Sequence, residues 1–124
     1  MRKDSFSIDT FSVFPPEIKG CACYSSNNEN EFQVNKYIYA NDYGDNAFVS
    51  INGVMTKFKL IKVNQLEKKH TISKGMSEDK KFELIIDIKE IGEIDETWQH
   101  QGFLKLKHKD GKEIVKTIYG ECGC

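Results

Sequence analysis

The stretch Ala47-Phe-Val-Ser-Ile-Asn-Gly-Val-Met-Thr-Lys-Phe-Lys-Leu60 decides the fold class, because it joins two alternating runs through a tight turn. The apolar residues in phase with one another are Ala47, Val49 and Ile51 in the first run and Val54, Phe58 and Leu60 in the second. A period of two is the period of a β-strand. Asn52-Gly53 lies between the runs and suits a type I′ turn, since both central residues of that turn need a positive φ. The stretch therefore predicts a β-hairpin.

The same period of two continues on both sides of this hairpin and predicts further strands. They are Cys21–Tyr24, Phe32–Ala40, Phe82–Ile88, Gly102–His108 and Glu113–Tyr119, after a short extended segment at Phe6–Val13. Asp110-Gly111 predicts a second hairpin turn between the last two strands. Helices of ten residues do not alternate with these strands, which excludes a parallel α/β sheet.

Two stretches interrupt the strand pattern. Asn64–Lys81 contains few large apolar residues and predicts a polar connection with a capped helical turn. Ile91, Ile94 and Trp98 have the spacing of one helix face and predict a short turn of helix. The fold expected is a single all-β domain over residues 1–124. It is a small antiparallel β-barrel or sandwich of about seven or eight strands, with at most one or two short helical turns.

Composition narrows the class of protein further. The chain has 124 residues, 39% of them hydrophobic and 11% aromatic, which is too many aromatic residues for a disordered chain. The net charge is -1, and Arg2 is the only arginine among 18 basic residues. Nucleic-acid interfaces rely on arginine, so no nucleic-acid partner is predicted. No apolar run approaches the roughly 18 residues of a membrane span.

Four cysteines form two Cys-x-Cys pairs near the two ends of the chain. One pair is Cys21 and Cys23, and the other is Cys122 and Cys124. Residues two apart on a strand point to the same face, so each pair presents two sulfurs side by side. If the two segments are antiparallel neighbours in the right register, Cys21 faces Cys124 and Cys23 faces Cys122.

Three hypotheses account for these pairs, and the sequence leaves them open. The preferred one is two structural disulfides, which needs an oxidising compartment and allows three connectivities. The alternative is a cytoplasmic metal-thiolate protein in which Cys21, Cys23, Cys122 and Cys124 bind Zn or Cu(I). The third is free or redox-active thiols, with Lys19 as the only near basic neighbour.

Trp98-Gln-His-Gln101 supplies a candidate ligand site. An aromatic ring beside hydrogen-bonding side chains is suited to the mouth of a β-barrel, where small-molecule sites occur. Trp98, His100 and Gln101 are therefore the predicted ligand-binding residues. The sequence favours a different interpretation, in which the Trp98 ring plugs one end of the barrel. The sequence has no nucleophile elbow, phosphate-binding glycine loop or His-Glu-x-x-His motif, so it predicts no catalytic residue, no cofactor and no enzyme.

Two families of bacterial proteins share features with this chain. The hairpin Ala47–Leu60 and the cysteines near both ends resemble the membrane-bound inhibitors of c-type lysozyme, which are small periplasmic β-barrels. That family's Ser- and Gly-rich inhibitory loop has no counterpart in Asn64–Lys81, and the doubled Cys-x-Cys departs from it. The pairs Cys21-Ala-Cys23 and Gly120-Glu-Cys-Gly-Cys124 look like a class of small bacterial secreted or lipid-anchored proteins. This second resemblance implies the bacterial envelope and supplies no function.

These features together predict a non-enzymatic binding module of the bacterial envelope, periplasmic or secreted, whose partner is a protein or a small ligand. The segment Ser5–Phe14 alternates polar and apolar residues and lacks the continuous apolar stretch of a signal peptide. The chain is thus expected to be a mature secreted domain whose signal has been removed, or else a cytoplasmic protein.

Overall fold

The computed structural model describes residues 6–67 and 69–123, and within them the chain forms nine strands and one short helix. The elements are β1 (Ile8–Asp9), β2 (Ala22–Ser26), α1 (Glu29–Gln33), β3 (Tyr39–Asn41), β4 (Asn46–Ile51), β5 (Val54–Glu67), β6 (His70–Ser77), β7 (Phe82–Ile94), β8 (Thr97–His108) and β9 (Glu113–Gly123).

Eight of the strands close into an antiparallel barrel in the order β4-β3-β2-β9-β8-β7-β6-β5. Pairing of β4 with β5 completes the ring, and every described strand pair is antiparallel. The extra strand β1 pairs with the last residues of β4, while β3 pairs with the first ones. The predicted all-β antiparallel barrel is therefore confirmed, and closure removes the sheet edges that would otherwise pair with other chains.

Both predicted hairpins are present. Ile51 pairs with Val54, and the intervening Asn52 and Gly53 have φ values of 52° and 79°, as a type I′ turn requires. The second hairpin joins β8 to β9 through a longer loop over residues 109–112, in which the Gly111 N–H donates to the His108 carbonyl. The turn chemistry predicted at both positions thus folds the chain back on itself.

The hydrophobic core fills one half of the barrel. Its buried residues are Ile38, Tyr39, Ala47, Val49, Ile51, Phe58, Leu84, Ile86, Leu104, Leu106 and Ile118. The N-terminal segment closes this end, because Phe6 packs edge-on against Phe82 with ring centroids 5.1 Å apart, and Ile8 pairs with Ile51. One end of the barrel is therefore plugged by apolar side chains, and the other end is free to be lined by polar groups.

The prediction of a polar connection at Asn64–Lys81 is wrong. β5 continues to Glu67, and β6 returns through His70–Ser77 as a wall of the barrel. The pattern misled because hydroxyl residues take inward positions and a lysine interrupts the outer face: Thr71 and Ser73 line a cavity at the open end, and Lys74 is exposed outside between Ile72 and Met76. A strand that borders a solvent-filled cavity does not need the large apolar residues of a core strand.

The predicted strand Phe32–Ala40 is wrong over most of its length, since only Tyr39–Asn41 is a strand. The side chain of Asn28 accepts a hydrogen bond from the Glu31 N–H at 2.8 Å and caps a short helix, α1. Asn35 then adopts a left-handed φ of 62°, which ends the turn. α1 has five residues, so no helix in residues 6–67 and 69–123 could cross a bilayer.

An aromatic cluster outside the barrel holds this helix and the N-terminal segment in place. Its members are Phe14, Tyr24, Phe32, Tyr37 and Tyr119. Phe32 of α1 stacks on Tyr24 of β2 with ring centroids 5.7 Å apart, and the Tyr24 hydroxyl donates to Glu121 at 2.7 Å. Tyr37 joins this cluster while Tyr39 is buried in the barrel, so the two tyrosines do not share a face as the alternation predicted.

The helical turn predicted from Ile91, Ile94 and Trp98 is also wrong. β7 and β8 form a long hairpin that turns at Asp95 and Glu96, whose φ values are 49° and 70°. The turn residues Asp95 and Glu96 include no glycine, which usually marks such a turn. Without that signal, the spacing of the apolar residues indicates a helix face instead.

Candidate functional site

The open end of the barrel contains a cavity of about 340 Å³, which we call the cup. Six strands and two turns contribute side chains to it. Its lining residues are Cys23, Asn41, Tyr43, Lys69, Thr71, Ser73, Ile88, Glu90, Trp98, His100 and Cys122. The volume lies within the range of small-molecule sites, and several polar groups converge on one concave space among apolar side chains, which is the usual arrangement of such a site.

A disulfide forms one wall of the cup. Cys23 on β2 and Cys122 on β9 are direct cross-strand partners, with Cα atoms 4.0 Å apart and sulfurs 2.06 Å apart. The predicted facing of Cys23 and Cys122 is thus confirmed. Cys21 is disulfide-bonded as well, whereas Cys124 lies outside the described residues.

A buried serine–histidine pair lies at the base of this wall. Ser25 on β2 and His100 on β8 both pair with Gly120 of the intervening strand β9. Their side chains meet over that glycine, with Ser25 Oγ 2.8 Å from His100 Nε2. A Cβ atom at position 120 would lie only 2.7 Å from Ser25 Oγ. The absence of a side chain there is what allows the hydrogen bond to span β9.

The environment of this pair does not fit nucleophilic catalysis. A catalytic serine needs an exposed hydroxyl and a base that a third group orients. Ser25 is completely buried, and His100 Nδ1 faces Cys122 Sγ at 3.8 Å rather than a carboxylate. Burial lowers the pKa of His100 to about 4, so the ring is neutral near pH 7. The pair is suited to holding three strands together.

Asn41 on β3 extends the disulfide wall of the cup, since it is the cross-strand partner of Cys23. Its side-chain amide donates to the Tyr39 hydroxyl at 2.9 Å, and its Oδ1 accepts from the N–H groups of Cys23 and Tyr43 at 3.2 and 3.0 Å. Burial raises the pKa of Tyr39 to about 12, so its hydroxyl stays protonated. This network leaves the Asn41 amide little freedom to rotate and gives the cup a preformed polar wall.

The remaining cup residues set its chemical character. Trp98 and Ile88 supply apolar surface, and Thr71 and Ser73 supply hydroxyl groups. Lys69 in the turn between β5 and β6 and Glu90 on β7 contribute one positive and one negative charge, and the Glu90 N–H donates to the Lys69 carbonyl at 2.8 Å. Such a lining favours a small ligand with an apolar face and several hydrogen-bonding groups.

The structure separates the three predicted ligand residues. Trp98 and His100 line the cup, but Gln101 is exposed on the outside of β8. Gln101 borders a second hollow of about 680 Å³ on the outer face of β7, β8 and β9, together with Phe103 and Thr117. This outer hollow is larger, yet its floor is an open sheet surface on which Phe103 is 43% exposed. A ligand there would remain largely in water, so the cup is the stronger candidate.

Comparisons with protein families, with curated proteins and with solved structures found no match to this chain. The resemblance to lysozyme inhibitors therefore stays a prediction, and the function is inferred from the cup.

Sequence reasoning missed several cup residues. Thr71 and Ser73 fall in the stretch predicted as a connection, and Asn41 lies just beyond the predicted strand Phe32–Ala40. Glu90 lay beyond the predicted end of its strand. A signal was available, because Thr71 and Ser73 alternate with Ile72 and Lys74, but hydroxyl residues at a period of two are as common in loops as in strands.

We expect the stability of the disulfide-bonded protein to fall by roughly 2–3 kcal/mol between pH 6.5 and pH 4, because of His100. Above pH 6.5 the ring is neutral in both folded and unfolded states and contributes nothing. Below that pH the His100 side chain of the unfolded chain binds a proton, whereas the buried ring of the folded protein stays neutral down to about pH 4. The unfolded state is therefore stabilised relative to the folded state as the pH falls. Glu90, Lys69, Ser25 and Cys122 are the groups facing the ring.

Urea unfolding at several pH values checks this expectation, with His100→Gln as the comparison. The variant should lose this part of the pH dependence and keep the part due to carboxylates. Equal slopes for the two proteins would show that His100 is not responsible.

Proposed function

We propose that this chain is a non-enzymatic binding module that holds a small, partly apolar ligand in the cup. The observation that carries the proposal is the contrast between the two ends of the barrel. One end is plugged by Phe6, Ile8 and Phe82, while the other keeps a cavity lined by both polar and apolar side chains. A barrel that needed only stability would be expected to fill both ends with apolar side chains.

The lining supports a ligand with one flat apolar group and little net charge. Trp98 and Ile88 offer a surface for a ring, and Lys69 and Glu90 balance each other in charge. His100 adds no charge near pH 7, because its burial keeps it neutral. A strongly anionic or cationic ligand would find one favourable and one unfavourable partner among the cup's ionised groups.

The disulfide supports placing the module in an oxidising compartment. Disulfides persist in the bacterial periplasm and outside cells, and the cytosol keeps most thiols reduced. Cys23–Cys122 joins residues 99 positions apart and fixes β2 to β9 beside the cup. We therefore propose a periplasmic or secreted location, where the bridge preserves the cup.

Binding of N-phenyl-1-naphthylamine, a neutral aromatic probe, tests the proposal. Trp98 is the only tryptophan and lines the cup, so energy transfer from its indole reports that the probe is bound. Thr71→Arg puts a long side chain into the cup. We expect this variant to weaken binding of the probe by at least about tenfold, or 1.4 kcal/mol.

Thr117→Arg is the matched control, because Thr117 is an exposed threonine that borders the outer hollow. It should leave the dissociation constant unchanged, and thermal unfolding should show both variants folded. The proposal fails if Thr117→Arg weakens binding of the probe and Thr71→Arg does not.

A further inference from the structure

Three side chains of the kind that bind thiophilic metals meet at one corner of the cup. Cys23 and Cys122 are joined in the disulfide, and His100 Nδ1 lies 3.8 Å from Cys122 Sγ. While the bridge is intact its sulfurs are not thiolates, and no described group of three His, Cys, Asp or Glu side chains is arranged to hold a metal. Reduction would change the chemistry of this corner without moving its strands apart.

We propose that the reduced protein binds Zn²⁺ at this corner through Cys23, Cys122 and His100. A dithiol reductant transfers two electrons to the Cys23–Cys122 bond and is itself oxidised to a disulfide, leaving two protein thiols. Zn²⁺ then replaces the two thiol protons, which pass to solvent, and accepts the lone pair of His100 Nδ1. Water from the cup fills the fourth position, as in other Cys2His zinc sites.

The distances suit a tetrahedral ion. Zinc lies about 2.3 Å from sulfur and about 2.05 Å from imidazole nitrogen, so a sulfur and a nitrogen on the same ion are about 3.6 Å apart. The observed separation of 3.8 Å between Cys122 Sγ and His100 Nδ1 is close to that value.

The backbone already places the three ligands. Cys23, Cys122 and Trp98 are aligned across β2, β9 and β8, and His100 is the next inward-facing residue after Trp98. Adjacent hydrogen-bonded strands form a rigid support, so the metal has few conformations to select. This is the property that separates a site from three ligands on mobile loops.

Ser25 completes the arrangement from behind. Metal-binding histidines almost always use their second ring nitrogen in a hydrogen bond, which fixes the tautomer. Ser25 Oγ lies 2.8 Å from His100 Nε2, so an Nε2–H donated to Ser25 leaves the Nδ1 lone pair directed toward Cys122. Ser25 is thus a positioning residue for this site.

Titration with Co²⁺ tests the inference, because tetrahedral cobalt–thiolate sites absorb visible light strongly and Zn²⁺ then bleaches them. The protein used is the full chain carrying Cys21→Ser and Cys124→Ser, which removes the other two thiols. It is reduced with a phosphine, since a dithiol would compete for the metal. We expect one Co²⁺ per reduced chain, displaced by Zn²⁺, and none for the oxidised chain.

The variants separate this site from other thiolate sites. His100→Gln should lower the affinity for Zn²⁺ by more than about 100-fold, and Ser25→Ala should lower it by about 10- to 100-fold. His108→Gln is the control, because His108 is on the same strand at the plugged end of the barrel. Equal affinities for His100→Gln and His108→Gln would overturn the inference. So would a reduced chain whose circular dichroism is that of an unfolded protein both with and without Zn²⁺.

Discussion

In a chain that already carries Cys21→Ser and Cys124→Ser, replacing Cys23 and Cys122 together by serine should lower the free energy of unfolding by about 4–5 kcal/mol, because no second bridge then restrains the unfolded chain. The bridge spans 99 residues of sequence, and in the chain-entropy estimate a loop of that length restricts the unfolded chain by about this amount. It also cross-links β2 to the last strand β9, whose backbone pairing with β2 does not itself require the bridge. Urea unfolding monitored by circular dichroism measures the change.

The same experiment shows whether the bridge acts on the unfolded state. Without the cross-link the unfolded chain expands and exposes more surface, so the urea m-value should rise. Thr117→Ser, an exposed conservative change on β9, is the control and should alter stability by less than about 0.5 kcal/mol. A loss below about 1 kcal/mol at an unchanged m-value would contradict this role for the disulfide.

Gly120→Ala should destabilise the protein by at least about 3 kcal/mol, through overpacking. The new Cβ would lie 2.1 Å from the Tyr24 carbonyl oxygen and 2.7 Å from the Ser25 Cα, both of them backbone atoms of the neighbouring strand. Relief requires β2 to move away from β9, which lengthens the Ser25–His100 hydrogen bond. We therefore expect weaker binding of N-phenyl-1-naphthylamine as well as lower stability.

Gly92→Ala is the matched control for this substitution. Gly92 is also a strand glycine, but its added Cβ would meet only Gln99 Oε1, at 3.6 Å. Its stability should stay within about 0.5 kcal/mol of the natural protein, with the probe affinity unchanged. If the two alanine variants unfold at the same urea concentration, the close approach of β2 and β9 is not what position 120 provides.

The fold was predictable where one face of a strand meets the apolar core. The hairpin Ala47–Leu60 and the strands around Phe82–Ile88 and Gly102–His108 alternate large apolar residues with polar ones, and each is a barrel strand. Prediction failed at His70–Ser77 because half of that strand borders the cup. It failed at the start of Phe32–Ala40 because the Asn28 cap begins a helix that includes Phe32, and Val34 of the predicted alternation is exposed.

The candidate site was partly predictable for the same reason. The sequence predicts one ligand site from Trp98, His100 and Gln101, because a segment that precedes a strand can direct neighbouring side chains to the same place. The structure makes that segment part of β8, and alternation then directs Trp98 and His100 inward and Gln101 outward. The cross-strand pairing of Cys23 with Cys122 was foreseeable, but its contact with His100 depends on the barrel register.

The most direct test of the cup is to locate a bound probe by nuclear magnetic resonance. Intermolecular nuclear Overhauser effects should connect N-phenyl-1-naphthylamine with the Trp98 indole and with the methyl groups of Ile88 and Thr71. The same protons should give no such effects in Thr71→Arg. Contacts confined to Phe103 and Thr117 would place the ligand in the outer hollow and contradict a binding site inside the barrel.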